Sequence, residues 1–133
     1  MSQEDVEIAQ KGIEAWNRHD ANLWLSYAAP EIEWVPAGPA AVERPVYRGH
    51  EQVASGFETV WQTWDVFEFR ESEVRDLGDS VLWLGSLNMH GVASDAELDQ
   101  EFAIHSVVRD GKLIRVQAFS SWHDALKAVG LEA

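Results

Sequence analysis

The chain has 133 residues, 23 acidic against 10 basic, a formal net charge of −13 and no cysteine. That length fits one domain over residues 1–133, able to bury a core without covalent staples. The acidic excess argues against nucleic acid or an anionic membrane as partner, and the missing cysteines exclude disulfides and thiolate metal sites. No charged-then-apolar leader opens the sequence, and no apolar run approaches about 18 residues, so a cytoplasmic location is expected.

Ser2, with Asp5 three residues on, is a weak capping box. Val6, Ala9, Ile13 and Trp16 recur at helical spacing and predict an amphipathic helix over 3–18. Asp20 reads as the cap of a short second helix through Leu23, Trp24 and Leu25, stopped before Pro30. Residues 31–35 alternate as a strand that ends at Pro36. Residues 36–47 hold Pro36, Gly38, Pro39 and Pro45 and read as a loop or rim. Gly49 precedes a third helix, on which Val53, Phe57, Val60, Trp61 and Trp64 form one stripe. Strands follow over 66–77 and 80–92, then a polar turn over 93–97, then a hairpin. A short helix over 122–129 closes the chain, ended by Gly130. Helices followed by a run of strands predict an α+β domain, with helices on one face of an antiparallel sheet.

The hairpin carries the most detail. Asp110-Gly111 suits a two-residue type I′ turn, in which both residues need positive φ. That turn would pair Arg109 with Lys112, Val107 with Ile114 and His105 with Val116. Phe102, Ile104, Ser106, Val108, Leu113, Arg115, Gln117, Phe119 and Ser121 would then share one face. Glu101, Ala103, His105, Val107, Ile114, Val116, Ala118 and Ser120 would share the other. Both faces are largely apolar, so one can line a pocket and the other can meet a second copy. A two-fold homodimer through Ala103, Val107, Ile114, Val116 and Ala118 is the expectation.

The five histidines form no i, i+2 or i, i+4 pair and no His-Glu-x-x-His motif, so neither a metal nor a cofactor is expected. His50, opening the third helix beside the rim, is the candidate proton carrier; otherwise it is a helix-start residue bonded locally. Ser86, Asn88 and His90 alternate as either a polar pocket patch or a solvated strand face. Ser121-Trp122-His123-Asp124 has the residue types of a triad, but as sequence neighbours their side chains diverge. The seven tryptophans serve either an ordinary core or an aromatic-walled pocket.

The order of elements, with Ala15-Trp16-Asn17-Arg18-His19-Asp20, Tyr47-Arg48-Gly49-His50-Glu51, Phe102 with Arg109-Asp110-Gly111-Lys112, and Ala125-Leu126 with Gly130-Leu131, resembles the SnoaL-like (polyketide cyclase-like) branch of the nuclear transport factor 2-like superfamily. The resemblance implies a cone: a curved, antiparallel-rich sheet with three helices on its concave face, in the order α-α-β-α-β-β-β-β plus a short C-terminal helix. It also implies a deep pocket, and in many members a dimer through the outer sheet face. Function varies widely within this fold. The acid that SnoaL-like cyclases carry near the end of the last strand falls at Ser121. The steroid-isomerase acid before the strand-ending proline falls at Val35, their protonated acid at Ile104 and their tyrosine near Gly12. The Asp-Arg-Asp set of the epoxide hydrolases is not evident, although Arg115 would lie on the right face. None of the replaced positions can do the family chemistry.

Three readings follow. In the first, a small apolar molecule, aromatic or polycyclic, is held by Trp16, Trp34, Tyr47, Phe102 and Phe119. Arg115 would orient a carbonyl or carboxylate, with Gln117 and Ser121 as hydrogen-bonding partners. In the second, an isomerase or cyclase works through His50. In the third, the chain is a non-catalytic homodimeric interaction module.

Overall fold

The computed structural model describes residues 3–91 and 97–131, without the side chains of residues 39 and 40. The expected cap Ser2 and residues 93–96 of the polar turn lie outside the described residues. The elements run α1 (Gln3–Asn17), α2 (Ala21–Ser26), β1 (Ala28–Val35), α3 (Pro39–Glu43), β2 (Tyr47–Arg48), α4 (Gly49–Thr63), β3 (Trp64–Asp76), β4 (Ser80–Gly91), β5 (Glu97–Arg109), β6 (Lys112–Phe119) and α5 (Trp122–Ala128). The expected rim thus holds one helical turn and a two-residue strand. β1 starts earlier than the alternation suggests and runs through Pro30. It can do so because its pairing with β6 is irregular between Ala28 and Glu33, where a residue without an N–H is tolerated.

One six-stranded sheet, ordered β2-β1-β6-β5-β4-β3, is antiparallel except at β1–β6. Period-two alternation gives it two different faces. Phe69, Val81, Trp83, Leu87, Phe102 and Ile104 point toward α1, α2 and α4 and form the main core with Ala9, Trp24, Val53 and Phe57. Leu82, Leu84 and Ala103 point the other way, beneath Ala125, Trp122 and Leu126 of α5. The Trp122 indole N–H fastens that helix by donating to the carbonyls of Gly85 (2.9 Å) and Phe102 (3.1 Å).

The Asp-Gly turn forms as expected, with φ of 53° at Asp110 and 75° at Gly111. The register beyond it does not. Arg109 pairs with Lys112 and Val108 with Leu113, but Val107 pairs with Arg115 and His105 with Gln117. Ile114 is the extra residue of a β-bulge, and one extra residue exchanges the two faces of everything after it. Val116 and Ala118 therefore face the helices, while Arg115, Gln117 and Phe119 lie on the outer face.

This shift breaks up the expected dimer contact. Val116 and Ala118 lie inside, and Ala103 is covered by α5. Beside α5 the outer face presents a charged row. Arg48 Nε donates to Glu33 Oε2 (2.9 Å), and Arg115 Nη1 donates to Glu33 Oε1 (3.1 Å). Val107 and Ile114 keep the outer face, so of the apolar face that argued for pairing only a part stands there. Asn88 and His90 also lie on the outer face, where Asn88 Nδ2 donates to Glu97 (3.3 Å) and His90 stands 3.8 Å from Asp65.

Candidate functional site

A hollow remains between the inner sheet face and the helices. α1 supplies Ala9, Gly12, Ile13 and Trp16, α2 supplies Trp24, and α4 supplies Phe57 and Val60. The sheet supplies Trp34, Phe67, Phe102, Ile104, Ser106, Leu113, Val116 and Ala118, and Pro36 and Ala37 stand at the end of β1. The hollow has a cavity volume of about 50 Å³, and all the space between atoms, counted out through the open mouth, reaches about 640 Å³. The smaller value bears on fit, because the larger one includes bulk solvent.

Aromatic rings set the shape. Phe57 meets Trp16, Trp24 and Trp34 edge to face, with centroids 4.8, 4.8 and 4.7 Å apart. Trp16 also packs on Trp61 (5.2 Å) and Phe67 (5.5 Å). Such perpendicular contacts favour ordered rings over a loose apolar fill. Among the described residues the lining holds no charged or titratable side chain, and Ser106 bears its one hydroxyl.

Of the residues expected at the site, Trp16, Trp34 and Phe102 line the hollow. Tyr47 stands behind Trp34, its ring 5.1 Å away, and borders a separate surface groove with Arg44, Glu51, Gln52 and Ser55. Burial, the largest cause, raises its phenol above the usual value of 10.0. Arg115 and Gln117 are turned outward by the bulge and bonded to each other, Nη2 to Oε1 at 3.3 Å. The face match to the epoxide hydrolases is lost with them. Phe119 packs under α5. Ser121 caps α5, its Oγ accepting from the Asp124 N–H at 3.3 Å.

His50 is exposed and does not line the hollow. Its Nε2 lies 3.2 Å from the Ala28 carbonyl and 3.1 Å from that of Ala29. Carbonyls only accept, so this nitrogen carries the proton and fastens the start of α4 to β1. These bonds reach back 22 and 21 residues along the chain, so they are tertiary rather than local, and they leave His50 outside the hollow. The His105 imidazole lies on the outer face, 2.8 Å from Ser80 Oγ. Burial holds it below its ordinary 6.5, and the Arg115 charge adds to that effect.

Sequence reasoning does not assign Ser106 or Trp24 to the site, and it assigns Val116 and Ala118 to the opposite, dimer-forming face. For Ser106 the signal was present, since it alternates with Phe102 and Ile104. Gly12 and Ile104, the positions matching the steroid-isomerase tyrosine and protonated acid, do line the hollow, without a group that can move a proton.

The arrangement can exclude water and enclose apolar surface, and it holds no acid–base pair. A TM-score of 0.79 relates the chain to an NTF2-like protein of unknown function from Burkholderia pseudomallei, at 16% identity over 98% of this chain and 99% of that one. TerC, co-crystallised with polyporic acid, also superposes at 0.79, with 17% identity over 96% and 98%. A putative SnoaL-like polyketide cyclase from a Jannaschia species superposes at 0.77, with 14% identity over 100% and 98%. Identities this low show the shared fold alone. No curated protein matches the chain. Residues 9–116 match the SnoaL-like domain family, and the chain belongs to that family.

Proposed function

We propose that this protein binds a small apolar molecule with an aromatic ring in the hollow between α1, α4 and the sheet. The observation that carries this reading is the lining: aromatic and aliphatic walls, one hydroxyl and no charge among the described residues. That is the composition of a small-molecule site, in which few polar groups fix orientation. Within the same fold, TerC was crystallised with a small molecule, which supports the reading without naming a ligand for this chain.

Size refines it. A cavity volume of about 50 Å³ is below the roughly 150 Å³ of a dry cavity that accepts benzene. A single ring would enter by moving lining side chains and reaching into the mouth, and a polycycle would need larger movements. An isomerase or cyclase working through His50 is not favoured, because that ring is exposed and its Nε2 is committed to β1.

The test is titration with one-ring apolar compounds, read by tryptophan fluorescence. Trp16, Trp24 and Trp34 line the hollow, so binding should give a saturable change. Ala118→Phe should remove it by filling the space. No saturable response to any one-ring compound, or one unaffected by Ala118→Phe, would refute the reading.

A further inference from the structure

We infer that Ser106 is the specificity-determining residue of the hollow, and that its ligand is a neutral one-ring molecule carrying one hydroxyl or carbonyl oxygen. This rests on the small-molecule reading above and narrows it to a chemical class.

Ser106 is 2% exposed. Its cross-strand neighbours are Val81 on β4 and Val116 on β6, and its same-face neighbours along β5 are Ile104 and Val108. All four are aliphatic. No neighbouring side chain on the sheet can bond a hydroxyl placed there, so its partner depends on what occupies the hollow. For packing alone, alanine or valine would serve better. The hydroxyl is placed to bond something that enters the hollow Ser106 lines. A second donor stands in the same lining: Trp24 Nε1 lies 3.6 Å from where a side chain at Gly12 would begin.

The pairing chemistry sets the class. A serine hydroxyl both donates and accepts, and an indole N–H only donates. A ligand hydroxyl or carbonyl suits either group. A carboxylate would find no cation in the lining and an ammonium no anion, so either would be stripped of water uncompensated. The cavity volume of about 50 Å³ limits the body to one ring.

p-Cresol and p-xylene test this, since they differ only in a hydroxyl against a methyl of similar size. Affinities are measured by calorimetry on the whole chain for wild type, Ser106→Ala and Ser106→Thr, with thermal melting to confirm folding. Wild type should bind p-cresol at least tenfold more tightly than p-xylene. Ser106→Ala should lower that ratio about tenfold while leaving p-xylene affinity within twofold, and Ser106→Thr should restore the preference. Equal wild-type affinities, or a ratio unchanged in Ser106→Ala, would overturn the assignment while leaving small-molecule binding intact. Binding of neither compound would overturn the small-molecule reading, and the role of Ser106 with it.

Discussion

Asn17, the last residue of α1, bonds the main chain of Phe69 twice. Its Nδ2 donates to the Phe69 carbonyl at 2.9 Å, and its Oδ1 accepts from the Phe69 N–H at 2.8 Å. β3 is an edge strand, so these groups have no neighbouring strand on that side. One side-chain amide thus stands in for a strand at a single residue and joins the helical layer to the sheet rim. It also closes part of an edge otherwise guarded by Glu68, Arg70, Glu73 and Arg75.

Asn17→Ala should therefore destabilise the fold by about 1–2 kcal/mol, the net worth of two hydrogen bonds at a partly buried site. Urea unfolding should show a lower midpoint, and the Phe69 amide should exchange faster than its neighbours on β3. An unchanged midpoint would mean that water replaces the side chain at no cost.

The elements were largely legible from hydrophobic period and turn chemistry, and the site only in part. α1 and α4 announce themselves by stripes that place Ala9, Trp16, Phe57 and Val60 against the sheet. The β5 half of the hairpin was also legible, because alternation alone groups Phe102, Ile104 and Ser106. The β6 half was not. Nothing in Leu113-Ile114-Arg115 marks Ile114 as the extra residue, and both faces of the strand are mixed enough to accept either register. Burial decides it: the structure places Val116 inside, 8% exposed, and leaves Arg115 to an ion pair with Glu33. Ser121 and His50 misled for another reason. Ser121 caps its own helix, and His50 reaches back to the carbonyls of β1, so each is held by a bond that competes with a role in a pocket.

Gly12→Ala should separate stability from binding. Alanine in a helix interior gains about 1 kcal/mol over glycine. The new methyl would meet Leu113 Cδ1 at 3.2 Å, the tip of a flexible side chain that can give by a few tenths of an ångström. Stability should stay within about 1 kcal/mol of wild type. The methyl enters the lining of the hollow, so affinity for a one-ring ligand should fall severalfold. Thermal melting and fluorescence titration on the same sample check both halves.

Stability should depend on pH through His105 and His19. Both are held below the ordinary 6.5: His105 by burial and then by Arg115, His19 by burial where its ring stacks on Trp61, 4.9 Å away. Between the depressed folded value and 6.5 the unfolded chain binds more protons, so stability rises with pH across that window. The contribution is complete above about 6.5 and is lost as pH falls through the folded value. Glu33, lowered chiefly by its hydrogen bond from Arg48, adds a further loss at more acid pH, below its ordinary 4.5. The urea midpoint should be flat above neutrality and decline below it. His105→Gln should flatten the decline below about pH 6.5, and an unaltered slope would remove His105 as a contributor.

The bulge at Ile114 makes adjacent residues of β6 opposite in consequence. Arg115 and Gln117 lie on the outer face, tied to Glu33 and to each other, with side chains partly exposed. Ion pairs of that exposure contribute at most about 1 kcal/mol, and neither residue touches the hollow. Arg115→Ala and Gln117→Ala should leave ligand affinity within twofold and stability within about 1 kcal/mol. Val116→Phe, one position away, points a larger ring into a cavity of about 50 Å³ and should abolish binding. A register without the bulge would reverse the pattern, since Arg115 would then face the ligand and Val116 would not. Affinity measurements on these three variants thus read the face of each residue directly, and loss of binding in Arg115→Ala with retention in Val116→Phe would refute both the register and the site built on it.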